Sequence, residues 1–203
     1  MLTPRRFCRW ARLTYALPEA QEDALVRLLM NSRDVYERYT APLGLCWMVN
    51  PGTHYGPSPW GYEFSLWGTY NRADRDAVGI DRTASGTGYA LQYPEAIRVK
   101  YEDPDTCPDK LLLFFHRLRY DYVMRDGRTL IQRIYDDHFE GVRAAEAMAE
   151  TLAGLDLPEP DRSEAARRME KQHQNAREWR DVVNTFFHRL SGVEDEKGRR
   201  IFD

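Results

Sequence analysis

Cysteine is scarce in this sequence of 203 residues, which contains Cys8, Cys46 and Cys107. Their number is odd, their spacing is wide and no two of them form a C-x-x-C pair. A disulfide framework needs cysteines in pairs, and a zinc knuckle needs two of them close together. The sequence therefore predicts free thiols in a reducing compartment and supports neither a disulfide framework nor a zinc knuckle.

Long hydrophobic runs are also missing. Nowhere do the roughly 18 consecutive apolar residues of a membrane-spanning helix follow one another. The N-terminal stretch MLTPRRFCRWARLTY has basic residues without the apolar run of a signal peptide. We therefore expect a cytoplasmic protein that is neither exported nor inserted into a membrane.

An excess of one charge is absent as well, since the formal net charge is −3 at pH 7. This balance gives no electrostatic reason to expect a nucleic-acid partner. The densest charged segment, Asp161 to Asp181, carries six basic and five acidic residues, which is typical of a solvated helix face. With 42% hydrophobic and 30% charged residues, the chain has the composition of a soluble globular protein, and its length fits a single domain over residues 1–203.

Hydrophobic periodicity predicts a mainly α-helical domain of about three long helices. The predicted helices run from Glu19 to Tyr39, from Leu130 to about Leu152 and from about Ser163 to Leu190. Thr129 stands before Gln132 at the spacing of a capping box, which predicts how the second helix begins. Prolines and glycines follow where each pattern stops: Pro42, Gly44, Gly154, Pro158, Pro160 and Gly192.

The sequence between the first two helices has no clear period. Up to Cys107 this region holds 8 of the 13 glycines and three of the five tryptophans, with only short strand-like pieces such as GLCWMV. The run KLLLFFHRL, residues 110–118, fits either a core strand or a short buried helix. We therefore expect a long, irregular, aromatic-rich loop region with short strands.

This loop region contains the residue types of a sugar site. Flat apolar faces come from Trp60, Tyr62, Phe64, Trp67 and Tyr70, and paired hydrogen bonds could come from Arg72, Asp74, Asp81 and Arg82. Rings stack on a sugar, while fixed donors and acceptors bind its hydroxyls or carboxylate. The alternative is that RAD (72–74) and DRT (81–83) are structural ion pairs and that the rings are the core of the loop.

Asp74 and Asp81 also permit a glycosidase interpretation, in which one carboxyl is the acid and the other the nucleophile or base. Acidic pairs at such a spacing are common, so geometry has to decide. The potential metal ligands His54, Asp81, His116 and His138 contain no H-x-x-x-H pair. No P-loop, G-x-G-x-x-G or G-x-S-x-G motif is present, so we expect no metal and no cofactor.

Five longer stretches stand in order along the chain: SRDVYERYTAPLGLCWMVNPGTHYGPSPWGYEFSLWGTYNRAD, GIDRTASGTGYALQY, TCPDKLLLFFHRLRYDY, GRTLIQRIYDDHFEGV and WRDVVNTFFHRLSG. Together they resemble the C-terminal domain of the xylan α-1,2-glucuronidases, glycoside hydrolase family 67, from about Arg9 to Phe202. The chain departs from the family pattern at Thr53, where a histidine or a bulky residue is common, and at Asn71, where a histidine is usual. Asparagine keeps a hydrogen-bonding group but loses a titratable one.

The resemblance implies a mainly helical domain that follows a small N-terminal domain and a central (β/α)8 barrel. In the family this domain packs over the barrel near the active-site pocket and takes part in dimerisation. The enzymes remove 4-O-methylglucuronic acid from short xylo-oligosaccharides with inversion, and their catalytic carboxylates lie on the barrel. Because such a barrel takes about 200 residues or more, we expect the barrel and the N-terminal domain to be absent here. The chain alone should then be inactive, as a truncated gene product, a split subunit or an excised domain.

The resemblance also implies that part of the aromatic region shapes the pocket and that a larger part is interface. The candidate substrate-binding or pocket-facing residues are His54, Trp60, Trp67, Arg72, Asp74, Asp81 and Arg82. A second hypothesis is a free-standing carbohydrate-binding module for uronic-acid-bearing xylo-oligosaccharides. A third is an autonomous hydrolase that uses Asp74 and Asp81, although these residues match no catalytic position of the family.

Two expectations concern surfaces. Trp47, Trp60 and Trp67 should form an exposed aromatic patch where the domain meets the barrel. The last predicted helix has a wide apolar face, which includes Trp179, Phe186 and Phe187. We expect part of this face to remain for a partner, and therefore a homodimer.

Overall fold

The computed structural model describes residues 4–45 and 72–200, and it shows a mainly α-helical domain. In these ranges the α-helices are α1 (Pro4–Tyr15), α2 (Glu19–Thr40), α3 (Glu95–Glu102), α4 (Leu112–Phe115), α5 (Leu130–Ala153) and α6 (Asp161–Ser191). Short 3-10 helices lie at Pro42–Gly44, Tyr89–Gln92 and Asp109–Leu111, and short strands form β1 (Ala77–Val78) and β2 (Leu118–Arg119). None of the described helices combines the length and the hydrophobicity needed to cross a membrane.

The three long helices predicted from the sequence are confirmed as α2, α5 and α6. Helix α5 packs against both of the others, because apolar residues recur along it at helical spacing. Ile134 and Val142 join the larger hydrophobic cluster with α6 and the loop region. Met148 and Leu152, further along α5, join a second cluster with α1 and α2. Helix α5 therefore holds the domain together.

The capping box predicted at the start of α5 is not formed. Thr129 is the N-cap residue, but its side chain makes no capping hydrogen bond. The Gln132 amide instead donates to the carbonyl of Glu194 at 2.7 Å and accepts the backbone N–H of Glu196 at 3.0 Å. Gln132 is buried and satisfies backbone groups of the C-terminal segment. Because its amide is used there, it does not form the capping box with Thr129.

Residues 110–118 contain both of the structures that the sequence left open. Leu112, Leu113 and Phe115 form the buried side of α4. The chain then enters β2, which pairs antiparallel with β1 so that Val78 faces Leu118 and Ala77 faces Arg119. This pairing fixes the loop region that follows residue 72 onto the buried end of α4.

Helices α1 and α3 are additions to the predicted set. Helix α1 buries Ala11 completely and half-buries Phe7 in the cluster shared with α2. The Arg12 guanidinium on α1 donates to the buried Glu22 carboxylate on α2 at 3.1 Å. Helix α3 has no fully buried residue and spans only eight residues, which is too short for hydrophobic periodicity to identify a helix.

The apolar face of α6 is buried at the residues named for it, which corrects the expectation that they remain for a partner. Trp179, Phe186 and Phe187 are 6%, 2% and 0% exposed, so the chain's own core covers them. The face therefore leaves no apolar surface at these residues for a second copy. The charged segment at the start of α6 is a solvated face as predicted, with Glu164 paired to Arg167 and Arg168 at the surface.

Candidate functional site

Four of the seven predicted site residues lie in the described part of the chain. Arg72, Asp74, Asp81 and Arg82 lie in the loop region on either side of β1. His54, Trp60 and Trp67 lie outside the described residues, as do Trp47 of the predicted aromatic patch and Cys46. The candidate site is therefore assessed at the loop that begins at Arg72.

The Asp74 carboxylate is occupied by its own loop. Its Oδ1 atom accepts the backbone N–H groups of Asp76 and Ala77, each at 3.0 Å. Its Oδ2 atom is ion-paired with the Arg117 guanidinium. The backbone hydrogen bond from Asp76, with further help from Arg117, lowers the pKa of Asp74 below its ordinary value. Asp74 is thus an ionised carboxylate that closes a turn.

Arg117 organises this end of the loop, and the sequence analysis missed it. Besides its ion pair with Asp74, its guanidinium donates to the backbone carbonyl of Arg72 and, at 3.4 Å, to that of Gly79. The hydroxyl of Tyr120 donates to the carbonyl of Asp74 at 2.9 Å. No local pattern marks Arg117, because it stands in HRLRYDY directly before β2 while its partner Asp74 lies 43 residues away. Within RAD, the Asp74 side chain and the Arg72 backbone are therefore structural, and Arg117 is their partner.

Asp81 closes a second turn. Its Oδ1 atom accepts the backbone N–H of Thr83 at 3.0 Å and the Thr83 hydroxyl at 2.6 Å, and its Oδ2 atom accepts the Ser85 hydroxyl at 3.1 Å. Burial opposes the charged form, but the hydrogen bonds from Thr83 and Ser85 outweigh it and lower the pKa of Asp81. A Cβ atom at Gly86 would lie 2.4 Å from the Asp81 carboxyl carbon, so this turn requires glycine there.

Arg82 points back onto the domain. Its guanidinium donates to the carbonyl of Phe114 and lies 4.3 Å from the centre of the Phe114 ring. Its backbone N–H donates to the carbonyl of Phe115 at 2.8 Å, and its carbonyl accepts the N–H of Ala90 at 2.8 Å. DRT is therefore structural as well, although Asp81 and Arg82 do not form the ion pair that was the alternative interpretation.

Arg72 differs from the other three. Its backbone lies in the left-handed region at φ +44°, and its carbonyl is held by Arg117. Its side chain is exposed and has no hydrogen bond or ion pair with the described residues. Left-handed backbone is costly for a residue with a Cβ atom. Among the four residues described, Arg72 is the one whose charged group remains available to a ligand.

Three further candidates for chemistry among the described residues are buried. Burial lowers the pKa of His116 and lowers that of His138 to about 4, and burial raises the pKa of the free thiol of Cys107 to about 11. Over residues 4–45 and 72–200 no group of three or more His, Cys, Asp or Glu side chains could hold a metal ion. These side chains belong to the core of the domain.

The geometry at Asp74 and Asp81 does not support the autonomous hydrolase. A general acid must carry a proton near neutral pH, whereas both carboxylates have lowered pKa values and accept hydrogen bonds from their own turns. The binding-module hypothesis also loses Arg82, whose guanidinium is directed to Phe114. These contacts hold the loop to the domain, and the exposed side chain of Arg72 lies at its start.

Comparison with known proteins shows the family to which the chain belongs. Residues 5–200 match the family model described as "Glycosyl hydrolase family 67 C-terminus". The chain is 40% identical over 196 residues to "Probable alpha-glucuronidase A" of Aspergillus terreus and 39% identical over 195 residues to that of Aspergillus oryzae. It is 38% identical over 196 residues to "Alpha-glucuronidase A" of Aspergillus tubingensis. Each comparison covers 94% of this chain but 23% of the relative, so the chain spans about a quarter of the length of these relatives.

Proposed function

The chain belongs to the family described as "Glycosyl hydrolase family 67 C-terminus", and we propose that it serves as the accessory domain of an α-glucuronidase. In this proposal the chemistry takes place on a separate catalytic barrel, which removes (4-O-methyl)glucuronic acid from xylo-oligosaccharides during xylan degradation. The domain packs against that barrel, helps to shape its pocket and contributes to a homodimer. The barrel is either part of the same gene product or a separate subunit.

One observation carries the proposal. The chain aligns over 94% of its own length with proteins of which it covers 23%, so it corresponds to one part of a larger enzyme. The contacts of Asp74 and Asp81 support the same assignment, because two ionised carboxylates that accept hydrogen bonds from their own turns are poor candidates for general acids.

We assign the pocket-facing role first to Arg72. A guanidinium binds a carboxylate with two parallel hydrogen bonds, which suits the carboxylate of a glucuronic acid residue. Arg117 fixes the backbone of Arg72 through its carbonyl, so the exposed side chain starts from a defined position. His54, Trp60 and Trp67 remain predictions for the same pocket.

Reconstitution tests the proposal. Aspergillus terreus α-glucuronidase A without its matched C-terminal segment is assayed on aldouronic acids alone and after this chain is added. Neither part alone should release glucuronic acid at an appreciable rate, and the mixture should. Release by the chain alone, abolished in Asp74→Asn, would instead establish the autonomous hydrolase. Calorimetric heat from aldouronic acid and the chain alone would establish the binding module.

Substitution of Arg72 tests the pocket assignment in the reconstituted enzyme. Arg72→Ala should raise KM about tenfold or more, because a charge-assisted contact to the substrate carboxylate is lost. Arg75→Ala is the matched control, since Arg75 is also exposed and lies in the same turn. Equal KM values for the two variants would remove Arg72 from the pocket.

A further inference from the structure

Helix α1 presents an unusual outer face, on the side away from α2. Arg6, Arg9, Trp10 and Leu13 follow one another at the spacing of a single helical stripe, and all four are exposed. Leu13 is 75% exposed and Trp10 is 44% exposed. The opposite side of α1 carries Ala11, which is fully buried against α2. The outer face of α1, defined by these four residues, is thus apolar at its centre although the helix already has a buried side.

The two arginines of this face add a charge pattern. The side chains of Arg6 and Arg9 make no hydrogen bond or ion pair with the described residues. Arg12, on the same helix, is by contrast paired with Glu22. Trp10 is positioned by an edge-to-face contact with Tyr15, with ring centres 5.6 Å apart. A partner for this face would need apolar side chains at its centre and carboxylates at its edge.

We propose that the outer face of α1 is the docking surface for the part of an α-glucuronidase chain that precedes this domain. The inference rests on the proposed function. The match is to the C-terminus of the family, and the relatives are covered to 23%, so about three quarters of each relative comes before α1. Helix α1 is the first described element of the region that matches the C-terminus of the family, which begins at residue 5, and the exposed large apolar residues on it are Trp10 and Leu13. Tryptophan flanked by arginine is typical of the residues that dominate binding at interfaces.

A binding experiment on the whole 203-residue chain tests this surface. The probe is Aspergillus terreus α-glucuronidase A truncated before its matched segment. Leu13→Lys should weaken association at least tenfold, and Arg6→Glu combined with Arg9→Glu should weaken it and reduce its salt dependence. Hydroxyl-radical footprinting should show the Trp10 indole protected in the complex. Val123→Lys is the matched control, because Val123 is 62% exposed and lies in the loop before α5, where it forms a bridge with Thr129.

The outcomes separate this inference from the proposed function. If the complex forms and Leu13→Lys binds as tightly as the wild type, or if Trp10 stays unprotected, the docking surface is wrong while the accessory role stands. If the wild-type chain does not associate with the probe, both proposals fail. If Leu13→Lys dissociates a homodimer in sedimentation, the occupant is a second copy, and if it abolishes binding to phosphatidylserine vesicles, the occupant is a lipid surface; either result overturns the proposal. Circular dichroism of each variant confirms that the helices are retained.

Discussion

At the scale of the residue, the contacts of Arg117 explain why Asp74, a candidate site residue, has a structural role. Its guanidinium joins Asp74 to the backbone of Arg72 and Gly79, so it holds the turn from which residue 72 emerges. We expect Arg117→Ala to lower the free energy of unfolding by about 1.5–3 kcal/mol, the range for hydrogen bonds to charged groups. Urea denaturation measures this change.

Arg119→Ala is the control for that prediction. Arg119 pairs with Asp121, and both side chains are about two-thirds exposed, at 68% and 69%. An exposed pair of this kind contributes about 0–1 kcal/mol. Equal destabilisation by the two substitutions would mean that Arg117 does not organise the turn.

His138 gives the domain a pH-dependent stability. It is fully buried on α5, its Nδ1 atom lies 2.8 Å from the carbonyl oxygen of Ile134, and burial lowers its pKa from 6.5 to about 4. Between these values the unfolded chain binds a proton that the folded chain does not, so stability falls as the pH falls from about 6.5 to about 4. The shift corresponds to about 3 kcal/mol.

Unfolding free energies measured at several pH values test this prediction. His138→Asn should reduce the loss between pH 6.5 and pH 4, relative to its own stability at neutral pH, and the lowered pKa of the buried His116 accounts for a further part of that loss. His173→Gln, a change on a partly exposed histidine, should keep it. The carboxylate of Asp136 contributes below this window, because Lys197 and Arg128 outweigh its burial and lower its pKa to about 2. An unchanged slope in His138→Asn would contradict the assignment.

At the scale of the element, α2 and α5 approach each other closely at Gly141. A Cβ atom there would lie 2.7 Å from the Tyr39 Cβ atom and 3.1 Å from its backbone nitrogen. We therefore expect Gly141→Ala to push the helices apart and to destabilise the domain by about 1–3 kcal/mol. Gly154→Ala is the matched control, since its Cβ would meet nothing nearer than 3.5 Å. Similar thermal unfolding temperatures for the two variants would contradict the close crossing.

The elements also show what the sequence can and cannot predict. Helices α2, α5 and α6 have long apolar stripes, so their bounds differ from the predicted ones by about two residues or fewer. Helix α1 has its own stripe, Phe7, Ala11 and Tyr15, which periodicity could have revealed had the basic N-terminus not been considered only as a targeting signal. The roles of Gln132 and Arg117 depend on partners that lie 62 and 43 residues away, and no local pattern encodes such contacts.

At the scale of the whole molecule, the candidate site could likewise be predicted only in part from the sequence. The residue types of RAD and DRT indicated a polar loop, but their partners decide whether the groups are free for a ligand. Asp74, Asp81 and Arg82 are committed to the domain, and Arg72 alone of the four keeps an exposed, unpaired charge in the described part of the chain. The resemblance predicted the family correctly, because five collinear stretches carry far more information than any one of these side chains.

Assembly provides the last prediction. We expect a homodimer that survives dilution to micromolar concentration, with an interface of about 2,000 Å² or more. Because Phe186 is 2% exposed in the chain's own core, Phe186→Ala should lower the free energy of unfolding by about 3–5 kcal/mol without selectively dissociating the dimer. Val193→Ala, a change at a residue that is 36% exposed just beyond α6, is the mild control. Sedimentation velocity measures the assembly. A single wild-type species near the chain mass of 23.8 kDa would contradict the dimer. If the Phe186→Ala variant is folded but monomeric, the interface lies on α6, contrary to this prediction.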